Sequence, residues 1–275
     1  MQIRSTGRLA AVISLTVAAY CAAQSFNIAI GPPTAQPSSS YPAAGIPGYW
    51  NALPAVHGSF TQNLRDLNNV VTGVRLYQYG GTALMDGTDG GIEGDDGVLL
   101  NHYLITYTPT LETCVFLDFL QPGEYEAIIY GWMPNNPDAL AYTNCDEEPG
   151  NPHEYVGGAW AGYHEEGVTY SIHYALVGGN GRLRLHSGIV PGGEPSIGAA
   201  CNGVQVRKLP PRMPADMNCD GLKNGRDVDA FVRAMTRPSA YRSAYPTCNI
   251  LNGDMNGNWA VTSADVAAFV AALMQ

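Results

Sequence analysis

The twelve residues Asp216–Asp227 constrain this chain more than any other stretch. Oxygen-bearing side chains stand at positions 1, 3, 5, 9 and 12 (Asp216, Asn218, Asp220, Asn224, Asp227), the backbone carbonyl of Leu222 falls at position 7, and Gly221 sits at position 6. Hard cations such as calcium take about six to eight oxygens, and this spacing turns them inward around a bend for which glycine supplies a positive φ. Val228, Phe231, Val232 and Met235 follow at the i, i+3, i+4, i+7 interval of an amphipathic helix. The whole unit recurs 38 residues on. Asp254, Asn256, Asn258, Ala260, Thr262 and Asp265 take the equivalent positions, and Val266, Phe269, Val270 and Leu273 repeat the stripe. A single Asp/Asn-rich loop is usually a turn. Two in one register, each running into a matching helix, predict a pair of Ca2+ sites.

Aspartate rather than glutamate at position 12, no convincing helix before the first loop, and duplication within about 60 residues resemble the type I dockerin module. The resemblance covers Ala215–Gln275. It implies a small α-helical unit that folds around two calcium ions and docks a secreted protein onto a cohesin domain. The chain departs from the family pattern at Trp259, where the second loop should carry glycine, at Asn258 in place of a carboxylate, and at Lys223 in position 8. Its docking positions differ between repeats, Gly225-Arg226 against Ser263-Ala264. With fewer carboxylates and a bulky residue at the bend, the second site is expected to be the weaker.

Met1–Arg8 is basic, Leu9–Ala19 is apolar, and small residues surround Ala22-Ala23. This is the pattern of a secretory signal peptide over 1–23. The run is too short to span a bilayer. Removing Arg4 and Arg8 with it takes the net charge from −10 to −12, a balance that disfavours nucleic acid and anionic membranes. In an exported chain, Cys219 and Cys248, which bracket the first loop-helix unit, predict a disulfide. Cys114, Cys145 and Cys201 cannot all pair with one another; Cys145–Cys201 is the preferred bridge, with Cys114 left on a strand.

Between Ser25 and Arg207 short apolar runs alternate with turn signals. Phe26, Ile28 and Ile30 alternate, as do Val74 and Leu76; Tyr103–Tyr107, Cys114–Leu120, Tyr125–Trp132 and Val168–Val177 read as strands, and so do Arg182–His186 and Val204–Val206. Roughly eight to ten strands without a helical period indicate an antiparallel β-sandwich or jelly roll, so the fold class is mainly β followed by a small α-helical module. Lys208–Pro214 reads as a proline linker. Leu120-Gln-Pro-Gly-Glu-Tyr125, Ile128–Trp132, Asn202–Val206 and Gly94-Asp95-Asp96-Gly97 resemble galactose-binding-like β-sandwiches, which implies a jelly roll whose loops bind a sugar.

Trp160, Tyr163 and His164 are candidates for the floor of such a site, since sugar faces stack on aromatic rings. Asp95 and Asp96 are the candidate carboxylates, read otherwise as a turn or a third calcium site. None of the six histidines has zinc spacing, and no nucleophile motif, phosphate loop or dinucleotide fingerprint is present. The sequence points to a secreted protein whose sandwich binds carbohydrate or a surface ligand, with a dockerin-like attachment module and a cohesin-like or cell-surface partner. A polysaccharide hydrolase or lyase and a purely structural surface protein are the alternatives.

Overall fold

The computed structural model describes residues 24–54, 60–80, 83–86, 91–108, 110–134, 136, 138–192 and 198–275. The predicted signal peptide, residues 1–23, lies outside them. The chain divides into two compact units, one ending at Lys208 and one running Leu209–Gln275. Among the described residues no helix is long and apolar enough to cross a membrane.

The first unit is a β-sandwich. One sheet orders five strands as β11 (Tyr170–Val177), β8 (Gly123–Tyr130), β14 (Gly203–Lys208), β1 (Phe26–Ile30) and β2 (Trp50–Leu53). The other orders six as β10 (Glu154–Val156), β9 (Ala141–Cys145), β12 (Leu183–Ile189), β7 (Thr113–Asp118), β4 (Val71–Tyr79) and β3 (Phe60–Arg65). A short third sheet joins β13 (Ala199–Cys201), β6 (His102–Thr106) and β5 (Ala83–Asp86). Neighbours pair antiparallel throughout the first two sheets except β1 with β2, which run parallel.

The two-residue period of β8 shows why the sheets pack. Tyr125, Ala127 and Ile129 face inward and meet Leu76, Val115, Leu117, Leu183 and Leu185 of the opposite sheet. Ile128 and Tyr130 face outward into a second buried cluster with Trp50, Leu99, Leu100, Trp132 and Tyr170. The five-stranded sheet therefore buries side chains on both faces and needs a cover. Part of that cover is a short helix, α1 (Gly94–Leu100), with Asp95 and Asp96 in its first turn. At seven residues it is too short to show a helical period in the sequence, which is why none was expected there. The 41–46 loop completes the cover: the buried Gln205 amide donates to Asn27 Oδ1 (2.8 Å) and Ile46 O (3.2 Å), and its oxygen accepts from Tyr130 (2.5 Å) and Gly45 N (3.1 Å).

Cys114, Cys145 and Cys201 are free and buried. This corrects the preferred Cys145–Cys201 bridge. Cys145 and Cys201 are instead core side chains that pack among the inward-facing Leu and Val residues. Burial raises all three thiols, Cys201 to about 12, so they behave as small hydrophobes and not as nucleophiles.

In the second unit α2 (Asp227–Thr236) and α4 (Val266–Leu273) follow the two loops, and α3 (Pro238–Ala244), which the sequence did not suggest, lies between them. The bridge between Cys219 and Cys248 forms, with Cα atoms 5.8 Å apart. Phe231 and Phe269 stack with ring centroids 4.0 Å apart. Their valine neighbours differ from expectation: Val228, Val232, Val266 and Val270 are exposed, and the buried face of α2 is Asp227, Ala230, Phe231 and Ala234. The loop aspartate sets this phase. Asp227 must point inward to close its loop, so i+3, i+4 and i+7 from it turn inward too. The expected linker is also tied down. Pro210 O accepts from Asn249 Nδ2 (2.8 Å), and Met213 N donates to Asn252 Oδ1 (2.7 Å).

Candidate functional site

The first loop is closed from its last position. Asp227, fully buried, accepts from the backbone N–H groups of Met217 (2.8 Å), Asn218 (3.1 Å) and Asn224 (2.9 Å). Gly221 takes the bend at φ +83°, and its N–H donates to Asp216 Oδ2 (3.0 Å). Asn218, Asp220 and Asn224 each accept from a backbone N–H two residues on. That leaves one oxygen unanswered: Asp216 Oδ1 is buried, in a residue 1% exposed, with no hydrogen-bond partner. Burial raises the Asp216 carboxyl and the charges of Asp227 and Asp220 raise it further, while the backbone N–H groups of Gly221 and, more weakly, Cys219 oppose this. A buried carboxylate oxygen facing other carboxylates is costly unless a cation answers it. Among the described residues no three His, Cys, Asp or Glu side chains converge as a metal cluster. An ion here would therefore draw on the Asn218 and Asn224 amides and the Leu222 carbonyl as well, the mixed oxygen set that calcium takes. The first loop fits calcium.

The second loop copies the frame and differs at the crucial oxygen. Asp265, also fully buried, accepts from Met255 N (2.9 Å), Asn256 N (3.1 Å) and Thr262 N (2.8 Å). Asn256 and Asn258 accept from the N–H groups of Asn258 and Ala260. Trp259 holds the bend at φ +66°, where its side chain is strained. Asp254 has no oxygen to spare. Oδ1 accepts from Gly257 N (2.8 Å) and Asn258 N (3.0 Å); Oδ2 accepts from Trp259 N (3.0 Å) and from the Arg212 guanidinium (2.9 Å). The expected second calcium meets a carboxylate that already has a cation.

On the sandwich, four of the five sequence candidates come together over the outer face of the five-stranded sheet. Asp95 ties down the 38–41 loop by accepting from Ser38 N (2.8 Å) and Ser38 Oγ (2.5 Å). Asp96 Oδ1 accepts from the Tyr41 hydroxyl and lies 3.2 Å from His164 Nε2. The Tyr41 hydroxyl is 2.6 Å from that same nitrogen, and His164 Nδ1 is 3.3 Å from Thr169 Oγ1. One assignment satisfies every member: Thr169 donates to Nδ1, Nε2–H donates to the Tyr41 oxygen, and Tyr41 donates to Asp96. It keeps the imidazole neutral, in line with the burial that lowers His164, against which Asp96 pulls upward. Burial and the neighbouring Asp96 raise the Tyr41 hydroxyl.

Trp160 packs its ring 5.6 Å from His164 and 6.2 Å from Trp132. Tyr163, 60% exposed, stands out from this cluster. The two carboxylates thus staple loops to α1, with partners from within the protein.

The sequence reading missed Tyr41, and it missed the outer face of the six-stranded sheet. There Tyr77 lies opposite Phe116 in register, and Tyr79 meets Phe116 edge-on at 4.9 Å. His186 sits between Glu112 (2.8 Å) and Asp146 (3.3 Å), and Arg184 pairs with Asp146 and Glu147. The alternation Arg75, Tyr77, Tyr79 carried this signal. Tyr41 carried none, being 55 residues from Asp96 and 123 from His164.

The chain matches no protein-family model and no curated protein. Among solved structures it is similar to a chain of the complex of plant peptide RALF23 with FER and LLG2, at 11% identity and TM-score 0.40 over 75% of this chain and 45% of that one. It is similar to the plant receptor-like kinase ANX1 at 12% identity and TM-score 0.35, over 67% and 48%. It is also similar to the CBM36-1 domain of a multidomain xylanase from the hindgut metagenome of Trinervitermes trinervoides, at 11% identity and TM-score 0.29, over 49% of this chain and 96% of that one. The chain spans less than half the length of the first two. Likeness at these TM-scores establishes neither a common fold nor a common ligand.

Proposed function

We propose that this is a secreted two-unit binding protein. Its C-terminal unit, organised by calcium, attaches to a partner of the cohesin kind, and its sandwich binds carbohydrate. The observation that carries the reading is Asp216 Oδ1, a buried carboxylate oxygen with no partner inside a loop otherwise closed by its own hydrogen bonds. The attachment role is supported by the repeat-related pairs Val228/Val266 and Val232/Val270, which leave apolar side chains exposed at matching places on two helices. Export is supported by the Cys219–Cys248 bridge, which persists in an oxidising compartment. The carbohydrate role is supported by the exposed Tyr163 and by the half-buried Trp160, whose ring packs 5.6 Å from His164.

A glycan array probed with the full chain, followed by turnover assays on whatever polysaccharide it retains, tests the carbohydrate half. Retention without turnover is expected. Tyr163→Ala should weaken it about tenfold, the effect of losing about 1.4 kcal/mol of contact, with unchanged thermal unfolding of the sandwich. Trp160→Ala should weaken it as much and also lower the unfolding temperature, because its ring packs on Trp132 and His164. Turnover would favour the hydrolase or lyase reading. No retention and no turnover would favour a structural surface protein, and retention untouched by both substitutions would place the site elsewhere.

A further inference from the structure

The two loops share one backbone scheme and differ in what answers the carboxylate at position 1. In the first loop Asp216 keeps a buried, unpartnered oxygen. In the second, Arg212 Nη1 lies 2.9 Å from Asp254 Oδ2, with the Asp254 side chain fully buried and that of Arg212 22% exposed. The guanidinium carbon also sits 4.7 Å from the centre of the Trp259 ring, within cation–π range. Arg212 is held there by its own backbone neighbourhood. Pro210 O accepts from Asn249, Met213 N donates to Asn252 Oδ1, and Ala215 N donates to Asn252 O (2.8 Å), which lays the 210–215 segment beside the entrance to the second loop.

We infer that the second loop takes no calcium and that the Arg212 guanidinium stands in the cation's place. Calcium at position 1 does two things: it neutralises the carboxylate and gathers the loop around it. Arg212 does the first through a charge-assisted hydrogen bond. The backbone N–H groups of Gly257, Asn258 and Trp259, all bonded to Asp254, do the second. The same reading accounts for Trp259 at a bend where glycine is the unstrained choice. Its ring is the platform on which the guanidinium rests, and the contact offsets the strained φ. Asn258 in place of a carboxylate follows as well, since a site already neutralised by an internal cation has no use for another negative charge. The unit is then half responsive. Its first repeat depends on calcium, and its second, with Val266 and Val270, is set in place without it.

This inference takes the calcium reading of the first loop as its contrast, and its test reads the two loops separately. Bound calcium is counted by equilibrium dialysis and atomic absorption on the full chain. One ion per wild-type chain is expected, none in Asp216→Asn, and one in Asp254→Asn. Two ions in the wild type would overturn the inference, and so would a single ion that survives Asp216→Asn but not Asp254→Asn. If Asp254→Asn does not fold, the other two counts decide. A wild-type count of zero would sink calcium in the first loop, and the inference would then stand or fall on Arg212 alone. In chelator, Arg212→Gln should lower the folding equilibrium of the C-terminal unit roughly ten- to hundredfold, the range for losing a hydrogen bond to a charged group. Arg212→Lys, which keeps the charge, should lose less. Stability unchanged by Arg212→Gln would overturn the inference whatever the calcium count.

Discussion

Asp227→Ala is expected to unfold the C-terminal unit while leaving the sandwich intact. The carboxylate is fully buried and is bonded to three backbone N–H groups from both sides of its loop. Alanine removes the acceptor from all three donors, of which the Met217 N–H is buried and those of Asn218 and Asn224 are half-buried, at about 1–3 kcal/mol for a buried group left unsatisfied and less for the other two. A unit of this size has a total stability of only about 3–10 kcal/mol. The loss is therefore a large share of what the fold has. Differential scanning calorimetry of the full chain should show the sandwich transition unchanged and the second transition gone. A variant that keeps both transitions at their wild-type temperatures would show that the loop closes without this aspartate.

Breaking the Cys219–Cys248 bridge should come next in size. The two cysteines are 29 residues apart, and a cross-link of that span stabilises by about 3–4 kcal/mol through the unfolded chain's lost freedom. For a domain this small that amounts to about 15–25 °C in melting temperature. Cys248→Ala should therefore melt far below the wild type, and reduction should reproduce the effect. A shift of less than about 3 °C would mean that the loops and the Phe231–Phe269 stack hold the unit without it. Cys114, Cys145 and Cys201 are buried on the sandwich and should remain unlabelled by an alkylating agent until that unit unfolds.

The sequence disclosed what repeats at short range and concealed what depends on distant partners. The strands were legible because Phe26, Ile28 and Ile30, or Leu183 and Leu185, alternate within a few residues. The loops were legible because their spacing of oxygen-bearing side chains is local and occurs twice. The phase of the helices was not. Counting apolar residues put Val228 and Val232 inward, but the inward turn of Asp227 rotates them out. Asp95, Asp96, Trp160 and His164 could be singled out as residue types, yet the hydroxyl that joins two of them belongs to Tyr41, brought in by a loop that only the sheet's outer face can seat. Arg212 lay in a proline-rich stretch that reads as linker, and nothing near it in sequence points to Asp254. Sheet order was equally hidden, since β14, last in the sandwich, pairs between β8 and β1.

That calcium organises the first repeat is the centre of this account. The direct measurement is hydrogen exchange across Asp216–Asp227 in the full chain, with calcium and with chelator. The account predicts that calcium slows exchange at Met217, Asn218, Gly221 and Asn224, whose N–H groups bond to Asp216 or Asp227. It also predicts that Asp216→Asn abolishes the effect. Equal exchange in calcium and in chelator, in a chain that is otherwise folded, would contradict it.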